Sequence, residues 1–342
     1  MPPPYLRQGD SMYISKPDYF DRFRCIASDC PDSCCKEWDV QVDEASAKFY
    51  RSLSGPLGDR LRQVLSTEDG ETVMTIIDGR CPMWRADGLC RIQAELGEGA
   101  LCKTCREFPR LTHDYGDFVE LGLELSCPEA ARFILEAKPA PLVTTVEERQ
   151  EAGEYDEEAM AVLKATRDKM LAILSDDIRP VGEVLALGLL YGYQAQSQLD
   201  GAEEMPFDPE SALAEVAQLI KPGDFAAVSD FFLSLELLTP EWEALLQNPR
   251  PAAWEKRHLA LARYLVQRYW LQAVSDYDLY SRAKFIVILC LLCKHLGGDL
   301  LRTAQLMSKE IENDADNVDA ILDAAYSHPA FTDDKLLGML LL

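Results

Sequence analysis

Residues 25–35 read Cys25-Ile26-Ala27-Ser28-Asp29-Cys30-Pro31-Asp32-Ser33-Cys34-Cys35. Four thiols in so short a stretch set the character of the N-terminal region. A second group follows as Cys81-x8-Cys90-x11-Cys102-x2-Cys105, with Cys127 beyond it. Nine of the eleven cysteines thus fall between residues 16 and 138. This stretch reads as a cysteine-rich metal-binding module.

Three chemistries compete for these thiols. Disulfides fit poorly. No secretory signal is expected, because the first 25 residues lack an apolar stretch and contain Pro2, Pro3 and Pro4. The chain is therefore expected in the reducing cytosol. Nine is also an odd number, and adjacent Cys34 and Cys35 make a poor disulfide pair. Structural zinc suits four thiolates, and Cys102-x2-Cys105 is half of a familiar zinc site. Against zinc, the spacing is irregular and the module lacks a second Cys-x2-Cys. His113 reads as a turn residue and not as a ligand. An iron–sulfur cluster accepts thiolates drawn from distant positions and is the favoured reading. Spacing alone leaves iron–sulfur and zinc both open. The three-cysteine signature of radical enzymes is absent, since it would need a cysteine at Glu37.

Between the two cysteine groups, Phe49, Leu53, Leu57, Leu61 and Leu65 recur every fourth residue. The spacing predicts a helical face over Asp43–Leu65, broken at Gly55-Pro56 and Gly58. Thr72–Ile77 is β-branched and reads as a short strand. Phe118–Leu125 alternates and reads as another, with His113-Asp114-Tyr115-Gly116 as the turn before it. The first residues, to about Ser15, read as an extended lead-in.

Pro139 and Pro141, followed by the charged stretch Glu147–Glu158, mark a boundary. From 150 to 342 the pattern is helix after helix. Met160, Leu163, Met170, Leu171 and Leu174 share one face. Asp208-Pro209-Glu210 is a helix start with an Asp cap, and Leu213, Val216 and Ile220 then face one way. Ala252–Val274 and Tyr280–His295 read as long helices, the second closed by Gly297-Gly298. Cys290 and Cys293 sit inside the apolar run Phe285–Cys293 and read as core packing. The fold class expected is mainly α: a cysteine-rich module with a few short strands, then an all-helical domain. No internal repeat is visible.

The chain has 342 residues, is 48% hydrophobic and carries a formal charge of −24. Such an acidic chain repels phosphate backbones, so nucleic acid is not an expected partner. No apolar run is long enough to span a bilayer, so no membrane partner is expected either. Residues 16–138 carry a net −7 and the remainder −17. The acidic remainder could steer a lysine-rich partner or serve solubility alone.

Taken together, Cys25–Cys35, Cys81-Pro82, Gly88-Leu89-Cys90, Leu101-Cys102-Lys103-Thr104-Cys105-Arg106-Glu107-Phe108-Pro109-Arg110 and Leu125-Ser126-Cys127-Pro128-Glu129-Ala130-Ala131-Arg132 resemble the flagellin lysine-N-methylases. The resemblance begins at Tyr13 and extends through Tyr264-Leu265 and Tyr277-Asp278-Leu279-Tyr280. Its cysteine pattern is shared with a wider group of zinc- or iron-chelating domains. The resemblance implies methyl transfer from S-adenosylmethionine to flagellin lysines and a four-iron four-sulfur cluster. The metal candidates are then Cys25, Cys30, Cys34, Cys35, Cys81, Cys90, Cys102, Cys105 and Cys127.

One departure stands out. The Gly-rich loop of doubly wound S-adenosylmethionine sites has no counterpart, since Gly97-x-Gly99 follows no strand. A lysine amine must also lose its proton before it can attack a methyl group. Asp39, Glu107 and Tyr115 are candidate bases, although solvated surface charge for the acids and a turn aromatic for the tyrosine are the stronger readings. Arg106 and Arg110 could hold the cofactor carboxylate or pair with Glu107 or Asp114.

Overall fold

A computed structural model of the chain describes residues 11–38, 40–68, 70–148 and 155–342. Asp39 lies outside the described residues. Among the described residues there are seven strands: β1 Ser11–Lys16, β2 Val40–Gln41, β3 Leu65–Glu68, β4 Glu71–Met74, β5 Arg110–Asp114, β6 Phe118–Leu123 and β7 Val143–Glu148. The helices of the first half are α1 Glu44–Ser52, α2 Gly55–Val64, α3 Arg91–Leu96, α4 Lys103–Glu107 and α5 Pro128–Glu136. The C-terminal part is helical throughout: α6 Glu157–Ile173, α7 Val181–Leu199, α8 Pro209–Val216, α9 Phe225–Leu233, α10 Pro240–Gln247, α11 Arg257–Tyr269, α12 Leu279–Leu296, α13 Leu300–Met307, α14 Ala315–Ser327 and α15 Asp333–Leu341. The fold is mainly α, as the sequence pattern indicates.

Two cores organise these elements. The larger is built on α7, α11 and α12. Residues Phe285–Cys293 of α12 are buried on every side, which is why the helix is apolar all round and not striped. Cys290 and Cys293 belong to this packing. At Gly192 of α7, an added Cβ would lie 2.4 Å from the Ala283 Cβ, so the close approach of α7 to α12 requires glycine there. The same core takes in Tyr19, Phe23, Phe118, Leu123 and Leu125, together with the inner face of α5. The smaller core gathers Val40, Tyr50, Leu61, Met74, Met83 and Ile92 around Cys81 and Cys102.

The four-stranded sheet has the order β5-β6-β1-β7. β1 runs parallel to β6, with Tyr13 opposite Phe118, and antiparallel to β7, with Ser15 opposite Thr144. A second sheet has the order β2-β4-β3. One expectation needs correction here. His113 and Asp114 belong to strand β5, and the turn falls one step later, where Tyr115 N–H donates to the Phe118 carbonyl across the hairpin. The boundary region contains a strand, β7, because Val143–Val146 pairs with the lead-in strand β1.

The expected helix over Asp43–Leu65 is two helices, α1 and α2, parted at Leu53-Ser54. Gly58 does not break α2. It lies inside the helix, where a Cβ would sit 2.1 Å from the Leu53 carbonyl oxygen. Of Ala252–Val274, α11 begins only at Arg257 and passes into a 3₁₀ turn at Trp270–Val274.

Aspartates cap the helical half. Asp156, Asp208, Asp224, Asp278, Asp299 and Asp314 each accept a first-turn N–H. Part of the acidic charge thus stabilises orphan amides and the positive ends of helices. No helix among the described residues is long and apolar enough to cross a membrane.

Candidate metal centre

The Cys34-Cys35 segment is held against the Gly79–Cys81 segment. Cys81 N–H donates to the Cys35 carbonyl at 2.8 Å, and Glu37 N–H to the Gly79 carbonyl at 3.2 Å. These bonds join the two cysteine groups that the sequence separates. Helix α4, which carries Cys105, is docked on β2. Thr104 hydroxyl donates to the Gln41 carbonyl at 2.9 Å, and Lys103 N–H to the Asp43 carboxylate at 2.8 Å. Cys90 reaches the same place because the loop before it folds back, with Arg91 N–H on the Met83 carbonyl at 2.7 Å.

All nine candidate cysteines are free thiols, and those that act on one another electrostatically fall into two overlapping groups. In the first, the Cys35 thiol is held well below its ordinary range by hydrogen bonds from Cys34 and then Cys81, whose own thiols are pushed up by the same contacts. Cys102 is lowered by a hydrogen bond from Cys105, which is raised in turn. Cys90 is raised by burial and feels Cys35 and Cys102. The second group is Cys25, Cys30 and Cys127, with Cys34 at its border. Burial raises Cys30 and Cys127, the latter to about 11, and neighbouring sulfurs raise both further. Cys34 feels Cys35, Cys25 and Cys127, so the adjacent pair Cys34-Cys35 stands where the groups meet.

The local backbone favours thiolate. Cys90, Cys102 and Cys127 each occupy the N-cap position of a helix, α3, α4 and α5. No side-chain cap hydrogen bond forms at these three positions, but the nearby first-turn amides oppose the upward push of burial. Sulfur-only donors match iron–sulfur ligation and also suit zinc. Among the described residues no three His, Cys, Asp or Glu side chains already stand at metal-ligand spacing.

His113 is elsewhere, on β5, beside Glu120 and Arg268 in a small cavity. Its imidazole is pushed down by burial. Of the candidate bases, Glu107 is exposed at the end of α4. Tyr115 stacks on Phe118 at 4.6 Å, and burial raises its hydroxyl to about 12. Arg106 donates to the Leu101 carbonyl at 3.4 Å, and Arg110 lies over the Phe23 ring at 5.4 Å, so neither uses Glu107 or Asp114 in these contacts. Gly97 ends α3 with φ +86° and Gly99 lies in a 3₁₀ turn, so no phosphate-type loop forms there.

A charged seam that no local sequence pattern announces seats the module on the helical half. Asp32, between Cys30 and Cys34, accepts from Arg302 at 3.1 Å and Gln305 at 3.3 Å. Lys309 lies 3.5 Å from Asp32, also pairs with Glu37, and sits 4.9 Å above the Trp38 ring. Lys309 is carried on a π-turn, Ser308–Glu312, whose residues are all buried. A cleft of about 570 Å³ opens beside it, lined by Trp38, Phe108, Glu124 and Glu310. Burial raises the carboxyls of Glu124 and Glu310.

Over 129 residues the chain is 34% identical to the flagellar biosynthetic protein FliU of Salmonella muenchen, covering 36% of this chain and 76% of that protein. The chain belongs to the flagellin lysine-N-methylase family. Other members of the family are the lysine-N-methylases of Salmonella typhimurium, 35% identical over 129 residues, and Salmonella choleraesuis, 34% identical over 129 residues. The chain spans about a third of the length of these two relatives, 32% of each. No protein-family model and no solved structure matches the chain.

Proposed function

We propose that this chain is a protein-lysine N-methyltransferase acting on flagellin, with S-adenosylmethionine as donor and an iron–sulfur centre of the four-iron four-sulfur type. The observation that carries the reading is its 34–35% identity to two proteins named lysine-N-methylase and to a flagellar biosynthetic protein. The sulfur-only donor set supports the centre.

The nine cysteines form the ligand pool. Cys35, Cys81, Cys90, Cys102 and Cys105 offer one sulfur more than a four-iron cluster needs. Cys25, Cys30, Cys34 and Cys127 could hold a second metal. Zinc is the alternative occupant. In this reading residues 16–138 are the metal module, and residues 150–342 form a helical domain that docks flagellin in the cytoplasm before export.

When bound, S-adenosylmethionine supplies an electrophilic methyl group. The protein's own task is to bring a lysine amine to it without its proton. A desolvating surface lowers the amine's pKa, and a carboxylate can receive the proton. Acidic residues at the surface draw the lysine in by attraction of opposite charge.

Mass spectrometry of flagellin from cells with and without this chain tests the function. Methyl-lysine should appear only with the chain present. Cys34→Ala and Cys102→Ala variants should lose bound metal and methylation together. Brown colour after anaerobic purification would identify iron–sulfur, whereas a colourless protein containing zinc would replace it.

A further inference from the structure

We propose that the cavity between the end of β1, the end of α5 and helices α6 and α11 is the methyl-donor pocket, with Arg263 receiving the carboxylate of S-adenosylmethionine. The inference rests on the methyltransferase reading above and names a site for its donor. The cavity measures about 490 Å³, within the range of small-molecule sites. Tyr19, Ile134, Leu142 and Leu171 give it an apolar and aromatic wall suited to a purine base.

Arg263 is half-buried on α11 and lines this cavity. Its guanidinium donates to the Leu174 carbonyl at 2.9 Å and the Ala137 carbonyl at 3.1 Å. These bonds orient the group without neutralising it. No carboxylate among the described residues pairs with it, and burial lowers its basicity. A partly desolvated guanidinium without a counter-charge is a ready partner for a carboxylate, which it can bind through two N–H groups.

Besides Arg263, the charged residues of the lining are Asp18, Asp168 and Lys138, all three exposed. Asp18 is tied to Arg22 at 3.6 Å. The donor carries a carboxylate together with ammonium and sulfonium cations. Its carboxylate suits Arg263, its base suits the apolar wall, and its positive centres suit the carboxylates of Asp18 and Asp168, which would also attract a lysine ammonium.

Helix α5 connects this pocket to the thiols. Cys127 is its N-cap, and Ile134 and Ala137 near its other end line the cavity. Nine helical residues span about 13 Å. A centre bound at Cys127 therefore holds one wall of the pocket from a distance, without touching the donor.

Calorimetric titration of S-adenosylhomocysteine into the purified full chain, with its metal retained, tests the site. The wild type should bind. Arg263→Gln should weaken binding about tenfold or more. Ala172→Trp, at an exposed position on the cavity lining, should weaken it as much. Arg106→Gln should bind as the wild type does. If Arg263→Gln does not fold, Ala172→Trp decides. Binding by the wild type with both cavity variants unaffected, or lost in Arg106→Gln alone, overturns the site and leaves the methyltransferase reading standing. No binding by the wild type overturns the donor reading and the site with it.

Discussion

The Lys309 ammonium lies 3.5 Å from the carboxylate of Asp32, a residue flanked by Cys30 and Cys34. Side-chain exposure is 1% for Lys309 and 7% for Asp32, so the pair is shielded from water and weakly screened. It pins the first cysteine cluster to a π-turn of the helical half. Asp32→Asn leaves a buried ammonium with Glu37 alone and should cost about 3 kcal/mol of stability. A double-mutant cycle with Lys309→Met should show a coupling of about 1–3 kcal/mol in urea unfolding. Additive losses would mean that the contact contributes nothing of its own.

Arg167 of α6 grips Glu120 of β6 through two hydrogen bonds of 2.6 and 2.7 Å, both side chains being nearly buried. This pair fastens the four-stranded sheet to the helical core. Glu120→Gln strands a buried guanidinium and should destabilise by about 3–5 kcal/mol. The double variant Glu120→Leu with Arg167→Met should recover most of that loss. Thermal melts of the three proteins check it, and an unchanged midpoint for Glu120→Gln would contradict the role.

His295 stacks on Phe225 with ring centres 4.3 Å apart. Burial, and then Lys294, pushes its imidazole from 6.5 down to about 4. Below about pH 6.5 the unfolded chain takes up a proton that the folded chain refuses. Stability should therefore fall as pH drops from about 6.5 toward about 4. His295→Phe keeps the stacking and removes the titration, so its unfolding free energy should fall less over that window. Parallel curves for the two proteins would rule this out.

The helical half holds most of the chain's negative charge, a net −17 outside residues 16–138. If it docks a lysine-bearing partner, methylation at low flagellin concentration should slow as salt rises, because attraction is screened over about 8 Å at physiological ionic strength. The rate at saturating flagellin should change little. A flat second-order rate constant, with the centre intact throughout, would leave solubility and helix capping as the purposes of the charge.

Much of this architecture is legible in the sequence where the determinants are local. The run Phe285–Cys293 announces a buried helix by itself, and Asp208-Pro209-Glu210 announces a capped start. Strands β1 and β7 are harder to read, because each is defined by a partner more than a hundred residues away, and β7 follows prolines and carries charge. His113-Asp114 resembles a turn because Gly116 follows closely, yet the hairpin reverses at Tyr115–Asp117. The nine cysteines are visible as residue types, but their sorting depends on the Cys35–Cys81 backbone contact. Asp32 and Lys309 look like ordinary surface charges until the fold joins them across most of the chain. Arg263 gains its meaning only from the four segments that enclose it.

The most direct test is reconstitution with purified components. Flagellin, the anaerobically prepared chain and S-adenosylmethionine bearing an isotopically labelled methyl group would be combined, and the flagellin peptides sequenced by mass spectrometry. The expected result is label on lysine side chains, lost when the centre is removed by Cys34→Ala or Cys102→Ala. Unlabelled flagellin in the presence of intact, metal-loaded chain would contradict the assignment of this chain as a flagellin lysine methyltransferase.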